Sequence, residues 1–262
     1  FLTQGVALDT AGNIIVADTE NRTLRNITPT GVVTTIAGAP GIAGANVDGA
    51  DLNARFYSPV GIAVYTNGII AVTDIFDHTI RRGTPPGLIA VTNAEYRVTT
   101  LAGLAGQIGL TDAAGSLARF NQPRGIALSP GGTVFVADTV NNAIRAISPT
   151  GIVSTFAANA GLNAPQGMVV DSAGNLYVAD SGNEVIRKIT PTSVVSIFAG
   201  QLGVAGGADG ISTAATFNRP VGLSIDGLGN LYVADQANHT IRKISPQGIV
   251  GTLAGLAGQM GF

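Results

Sequence analysis

The sequence predicts an all-β fold, a β-propeller built from five repeated blades of four antiparallel strands. Two observations predict it. A short apolar motif that begins with glycine recurs five times in the 262 residues, and a second motif that ends with aspartate follows about ten residues later. The first motif begins at Gly5, Gly61, Gly125, Gly167 and Gly222, and the second ends at Asp18, Asp74, Asp138, Asp180 and Asp235. Self-similarity of this kind is typical of repeat architectures.

Within each repeat, short apolar runs alternate with turn residues, which is the pattern of antiparallel strands. In the fourth repeat the runs cover 167–171, 176–180, 185–189 and 194–199. The turns between them contain Gly, Asn and Pro, which favour tight turns. No segment has a sustained 3.6-residue period, so no substantial helix is predicted. A sheet that recurs five times buries its faces by stacking against its copies, which is the arrangement of a propeller. A β-sandwich does not explain why one unit recurs five times.

The repeats predict one domain over residues 1–262. They cover about 3–58, 59–122, 123–164, 165–219 and 220–262. The shortest repeat indicates the minimal blade, so the extra length of the others is assigned to loops. The chain does not begin with Met and has no signal-peptide pattern, so we expect a mature or excised piece of a longer protein. A trimmed or rebuilt symmetric scaffold is an alternative origin.

The composition argues against several kinds of site and partner. The chain has no Cys, which excludes zinc fingers, iron–sulfur sites, disulfide frameworks and cysteine nucleophiles. Charged residues make up 11% and the formal net charge is −2, so we expect no basic face for nucleic acid. The mean hydropathy is +0.36, but no run of about 20 apolar residues predicts a membrane span. We therefore expect no membrane insertion.

An arginine stands seven residues after each repeated aspartate. These arginines are Arg25, Arg81, Arg145, Arg187 and Arg242. Each aspartate ends a strand and enters a polar turn, where a short carboxylate accepts hydrogen bonds from turn amides. The guanidinium on the next strand can pair with a carboxylate or with loop carbonyls. A single active site does not recur five times, so all ten residues are assigned to structure.

The repeat also resembles a known family. Pro-x-Gly-Ile-Ala-Val-Asp, Gly-Asn-Leu-Tyr-Val-Ala-Asp, Asn-x-x-Ile-Arg-Lys-Ile and Pro-x-Gly together resemble the NHL repeat over essentially the whole chain. The connections with Phe56, Phe120 and Phe217, each followed by x-x-Pro, resemble those of bacterial NHL proteins. The resemblance implies a propeller that usually has six blades, so a truncated six-bladed parent is the alternative to five. It also implies an interaction or sensor module.

Candidate binding residues lie where the repeats differ. Three long connections carry Asp48, Asp112 and Asp209 at similar places, where we expect them to surround the mouth of a central channel. The second repeat carries an insertion whose tip contains Asn93, Glu95, Tyr96 and Arg97. Aromatic and arginine side chains suit recognition, and a solvated hairpin is the alternative. A Ca²⁺ site at the aspartates is a weaker hypothesis, since no dense run of oxygen ligands supports it.

The two histidines, His78 and His239, each stand four residues after a repeated aspartate. Other repeats have Arg22, Asn142 and Glu184 there. A catalytic zinc needs about three convergent protein ligands, so a polar turn role is preferred and a zinc site is the weaker alternative. Neighbouring acids such as Asp74 and Asp77 suggest a glycosidase-like pair only weakly, because loop acids are common. We expect no cofactor and no catalytic residues.

The sequence favours a noncatalytic binding propeller that presents its loop faces and central channel to a protein, peptide or glycan partner. The alternative is a metal-dependent lyase or hydrolase, an activity that the resemblance implies for some NHL-like and six-bladed propellers. The innermost strands offer almost no metal ligands, so the binding interpretation is preferred. The absence of Cys and the scarcity of Lys are compatible with an extracellular or cell-envelope location.

Overall fold

The computed structural model describes residues 3–42, 46–88, 96–157 and 160–259. Within these residues the secondary structure consists of β-strands and of 3-10 turns three residues long. The strands form five antiparallel sheets, which we call blades one to five in chain order. The predicted fold class, an all-β propeller with five four-stranded antiparallel blades, is confirmed. None of the helical turns in the described residues has the length and apolar character that a membrane span requires.

Four strands follow one another in order across each blade. Blade one contains β1 (Val6–Leu8), β2 (Ile14–Asp18), β3 (Thr23–Ile27) and β4 (Val33–Ala37). Blade two contains β5 (Gly49–Ala50), β6 (Pro59–Val64), β7 (Ile70–Asp74), β8 (Thr79–Thr84) and β9 (Arg97–Ala102). Blade three contains β10 (Pro123–Leu128), β11 (Val134–Asp138), β12 (Ala143–Ile147) and β13 (Val153–Phe156).

The last two blades repeat this arrangement. Blade four contains β14 (Pro165–Val170), β15 (Leu176–Asp180), β16 (Val185–Ile189) and β17 (Val195–Ala199). Blade five contains β18 (Gly210–Ile211), β19 (Pro220–Ile225), β20 (Leu231–Asp235), β21 (Thr240–Ile244) and β22 (Ile249–Ala254). The 3-10 turns are Asp51–Asn53, Gly115–Leu117, Thr139–Asn141, Ser181–Asn183, Ser212–Ala214 and Gln236–Asn238.

Two short strands were not predicted. Strands β5 and β18 come from the long connections before blades two and five, and each pairs with the outermost strand of the blade that follows. Each has only two residues, so no alternating apolar pattern marks it in the sequence. These strands make the second and fifth sheets five-stranded.

The repeated arginine follows a β-bulge. In four blades the register between the third and fourth strands shifts immediately before the arginine, for example between Ile80 and Arg81 and between Ile241 and Arg242. A bulge bends the strand and re-aims its side chains. The bulge therefore lies where the arginine side chain must be directed to its partners.

The core lies between successive blades and is described here for each of two compact units. The first unit is Phe1–Asn141 with Arg145–Ser154, and the second is Asn142–Ile144 with Thr155–Phe262. In the first, one apolar cluster joins blades one and two around Phe56, and another joins blades two and three around Phe120. In the second, a cluster joins blades four and five around Phe217. Each cluster thus depends on an aromatic side chain from a connection between blades.

Candidate functional site

The repeated arginine is the centre of a buried polar cluster, which is clearest in blade three. Nη1 of Arg145 donates to Oδ2 of Asp138 at 2.9 Å and to the carbonyl of Arg119 at 2.8 Å. Nη2 donates to Oδ1 of Asp112 at 2.5 Å and to the carbonyl of Thr111 at 2.9 Å. The side chains of Arg145 and Asp138 are fully buried. The guanidinium of Arg145 therefore holds the connection before blade three against the end of β11.

Blades two and five repeat this cluster. Arg242 bonds to Asp235 at 3.0 Å and to Asp209 at 2.7 Å, and Arg81 bonds to Asp48 at 3.0 Å. The other two repeated arginines differ: Arg187 bonds to Asp180 at 2.9 Å, and Arg25 donates to the Thr35 hydroxyl. In blade one, Asp18 accepts from the side-chain amide of Asn21 at 3.0 Å.

The three connection aspartates proposed as ligand-binding residues are therefore ion-paired within their own blades. Each side chain is about half exposed and its Oδ1 faces the arginine. Asp209 also accepts from the Thr252 hydroxyl, and these hydrogen bonds hold its pKa below the ordinary value although burial raises it. A ligand at these carboxylates would have to share them with the arginines.

A phenylalanine lies beside three of the arginines. The guanidinium carbons of Arg81, Arg145 and Arg242 lie 5.1, 5.0 and 5.2 Å from the ring centroids of Phe56, Phe120 and Phe217. At this distance a cation is attracted to the ring face. The phenylalanine of each connection thus joins the polar cluster to the apolar layer between blades.

The histidines occupy left-handed turn positions. His78 has φ 56° and His239 has φ 57°. Nδ1 of His78 accepts a hydrogen bond at 3.1 Å from the backbone N–H of Gln122, the residue before a proline in the next blade, and burial lowers the pKa of His78. Among the described residues, no three His, Asp or Glu side chains come close enough together to hold a metal ion.

The insertion of blade two is described in part, because Asn93 and Glu95 lie outside the described residues. Tyr96 is half-buried, packs against the core between blades one and two, and donates from its hydroxyl to the Gly68 carbonyl at 3.4 Å. Arg97 is exposed at the start of β9. Tyr96 thus anchors the strand, and Arg97 is the exposed one of the two.

Blade two replaces a neutral amide with an acid. Four blades carry asparagine three residues after the repeated aspartate, and its Nδ2 donates to that carboxylate, as Asn141 does to Asp138 at 2.8 Å. Blade two has Asp77 instead, and Oδ2 of Asp77 is buried without a hydrogen-bond partner among the described residues. Burial, with the nearby Asp77 carboxylate, raises the pKa of Asp74 to about 6.

A pH-dependent penalty follows from these two acids. Because the folded pKa of Asp74 is above its unfolded value, the folded state holds the proton longer, and below about pH 4 this group carries no penalty. As the pH rises from about 4 to about 6, the penalty from Asp74 grows to about 3 kcal/mol for a shift of this size and stays constant above that pH.

We expect Asp77→Asn to stabilise the protein by about 1 to 3 kcal/mol at pH 8 and to change little at pH 4. The amide restores the donor to Asp74 and removes a negative charge. The measurement is urea unfolding at both pH values. Asn141→Asp is the matched reverse change, and it should destabilise blade three mainly at pH 8. Equal effects at the two pH values would contradict this explanation.

Blade two also carries two exposed aromatic side chains, which together with Arg22 of blade one form the aromatic patch, defined as Arg22, Tyr57 and Phe76. The rings of Tyr57 and Phe76 meet edge to face, with centroids 5.7 Å apart, and the guanidinium carbon of Arg22 lies 5.5 Å from the Tyr57 centroid. Tyr57 is 45% exposed and Phe76 is 53% exposed. Aromatic and arginine side chains at a protein surface are typical of interaction hot spots.

The patch departs from the repeat at two positions. Where Tyr57 stands, blades three, four and five have Asn121, Asn163 and Asn218. Where Phe76 stands, the other blades have Glu20, Val140, Gly182 and Ala237. Neither residue is among the predicted site residues, although alignment of the five repeats shows two aromatic residues at positions that are otherwise small, polar or aliphatic.

The sequence comparisons identify the repeat. The model of the NHL repeat matches residues 120–147, 162–188 and 217–244. Protein SUPPRESSOR OF QUENCHING 1, chloroplastic, from Arabidopsis thaliana is 32% identical over 139 residues, which are 50% of this chain and 12% of that protein. NHL repeat-containing protein 2 from Bos taurus is 32% identical over 152 residues, which are 55% of this chain and 20% of that protein. The chain therefore spans no more than 20% of either relative.

The fold is also similar to that of a solved enzyme. A catalytically inactive virginiamycin B lyase from Staphylococcus aureus, crystallised with quinupristin, superposes with a TM-score of 0.65 at 15% sequence identity. The match covers 98% of this chain and 70% of the lyase chain. At this identity the similarity shows a shared fold only.

Proposed function

We propose, from the NHL repeats that the chain contains and its similarity to NHL repeat-containing proteins, that it is a noncatalytic binding propeller for a peptide or protein partner. The observation that carries the proposal is the aromatic patch of Arg22, Tyr57 and Phe76. Its rings are exposed and meet edge to face, at positions where the other blades have no aromatic side chain. Loops on a rigid scaffold commonly carry binding residues.

The chemistry of the patch suits an apolar side chain of a partner. The two rings offer a rigid apolar surface that loses little conformational entropy on binding. Arg22 is half-buried and adds a positive charge beside the Tyr57 ring. A partner that places an acidic group beside its apolar side chain would be attracted to this charge.

Selection of peptides tests this function. We expect a phage-displayed random peptide library to yield binders of the folded chain, with an apolar or aromatic residue near an acidic one. Their affinity should fall at least about tenfold in the double variant Tyr57→Asn, Phe76→Ala, which installs residues that other blades carry. Leu228→Ala, at an 82% exposed side chain of blade five, is the control and should leave binding unchanged.

Two results would overturn the proposal. One is a set of selected peptides that bind the double variant as tightly as the original chain. The other is the absence of peptide binders together with specific retention of the chain on a glycan array, which would favour the glycan partner.

A metal-dependent lyase is the alternative that the fold allows, as the similarity to virginiamycin B lyase illustrates. An activity does not follow from a fold at 15% identity. The binding proposal predicts that purified chain carries substoichiometric zinc by elemental analysis. One zinc per chain, retained through dialysis, would favour the lyase.

A further inference from the structure

Blade five has an uncovered apolar face, which we call the open face and define by Ile241, Ala254 and Gly255 together with His239 and Thr240. These residues line an open cavity of about 320 Å³. Ile241 is 39% exposed, whereas Leu24, Ile80 and Ile186 at the same position of blades one, two and four are at most 1% exposed. Because the blades share one architecture, this difference in exposed fraction depends on what covers the face in each blade.

In blades one, two and four a phenylalanine from the next connection covers this face. A Cβ on Gly200 of blade four would lie 3.0 Å from Cδ2 of Phe217, so only glycine leaves room for the ring. Gly38 and Gly103 make the same approach to Phe56 and Phe120. Gly255 is the equivalent residue of blade five, and the three atoms nearest to a Cβ built there all belong to His239 and Thr240 of its own blade.

Backbone hydrogen bonds accompany the phenylalanine. The N–H groups of Gly38, Gly103 and Gly200 donate to the carbonyls of Asp51, Gly115 and Ser212, at 3.1, 3.2 and 3.0 Å. These carbonyls belong to the connection that carries the phenylalanine. Within residues 3–42, 46–88, 96–157 and 160–259, the N–H of Gly255 has no such acceptor.

In blades two and four, the residue in the left-handed turn also contacts the connection that carries the phenylalanine. His78 accepts from the N–H of Gln122, and Glu184 accepts from the N–H of Arg219. Both donors stand directly before a proline, two residues after the phenylalanine. His239 holds this position in blade five, and its exposed imidazole has no hydrogen-bond partner among the described residues.

The innermost strand of blade five, β19, also has room for a neighbouring backbone beside Gly222. A Cβ on Gly61 would lie 2.2 Å from the carbonyl oxygen of Arg124, and one on Gly167 would lie 2.3 Å from that of Val221. Each glycine thus allows close approach of the next blade's backbone. Gly222 of blade five has only the methyl group of Ala234 within 4 Å.

We propose that the open face of blade five binds an extended partner segment of the type Phe-x-x-Pro-x-Gly. The phenylalanine ring would fill the cavity over Gly255, the residue before proline would donate its N–H to His239, and a carbonyl upstream would accept from Gly255. A second folded copy does not offer such a segment, because its Phe56, Phe120 and Phe217 are at most 1% exposed. The site shares no residue with the aromatic patch, so the two proposals fail independently.

A synthetic peptide tests the site. The probe is a fluorescein-labelled peptide with the sequence of residues 210–225, which contains Phe217, Pro220 and Gly222. We expect saturable binding to the intact chain by fluorescence anisotropy. Replacing phenylalanine by alanine in the peptide should weaken binding at least about tenfold. In the protein, Ala254→Trp should fill the cavity and abolish binding, and His239→Ala should weaken it several-fold.

Ala173→Trp, the same change at an exposed turn of blade four, is the control and should bind normally. Both tryptophan variants place the new side chain at a solvent-exposed residue, and thermal unfolding checks that each is folded. Absence of peptide binding, or equal binding by Ala254→Trp and Ala173→Trp, would overturn the proposal. Concentration-dependent dimers that Ala254→Trp dissociates would also overturn it, because a second copy would then be the occupant.

Discussion

Replacing Arg145 by alanine is expected to lower the free energy of unfolding by about 3 to 5 kcal/mol, because breaking a buried ion pair leaves an uncompensated charge. The substitution removes the partner of buried Asp138 and four hydrogen bonds to a connection and a strand end. Burial already raises the pKa of Asp138, so loss of the guanidinium leaves that carboxyl in a still less favourable site. Urea unfolding at pH 7 measures the change.

Arg25→Ala is the matched control for this prediction. Arg25 belongs to the same repeat position, is only half-buried and donates to the Thr35 hydroxyl. We expect it to cost less than about 1 kcal/mol. If Arg145→Ala is too unstable to purify, Arg242→Lys keeps a charge beside Asp235 and Asp209 while removing the fork, and it should show an intermediate loss. Equal losses for Arg145→Ala and Arg25→Ala would contradict the structural role of the buried cluster.

Replacing Phe120 by alanine is expected to cost about 3 to 5 kcal/mol. The ring is fully buried in the apolar cluster between blades two and three and lies over the Arg145 guanidinium. The rigid strands on both sides limit collapse into the cavity that the substitution leaves. Unfolding by guanidinium chloride at constant pH measures the loss.

Phe76→Ala is the corresponding change at an exposed phenylalanine. It should change the free energy of unfolding by no more than about 1 kcal/mol, since the ring is about half exposed and meets the Tyr57 ring edge to face. A loss at Phe76 as large as that at Phe120 would show that the patch serves packing and would remove the structural basis for assigning it to binding.

Much of the fold was predictable because the sequence pattern of a blade recurs five times along the chain. In blade four the predicted runs 176–180 and 185–189 coincide with β15 and β16, and the outer strands differ by one or two residues. Strand ends there are marked by Asp180 and by turn residues, which are local signals. Strands β5 and β18 were missed because a two-residue strand is defined only by its pairing partner.

The partners of the site residues were less predictable, because they are distant in sequence. The pairing of Asp48 with Arg81 spans 33 residues, and the contact of His78 with Gln122 spans 44. No local pattern specifies such a contact. The aromatic patch was missed for a different reason: its side chains replace residues of the repeat, so only a comparison between blades reveals them.

The central claim is that the repeated residues maintain the scaffold, whereas the departures in blade two bind a partner. Its most direct test measures both the affinity for a selected peptide and the free energy of unfolding in the double variant Tyr57→Asn, Phe76→Ala. We predict at least about a tenfold loss of affinity with unfolding changed by no more than about 1 kcal/mol. Unchanged affinity, or a loss of affinity that is matched by a large loss of stability, would contradict the claim.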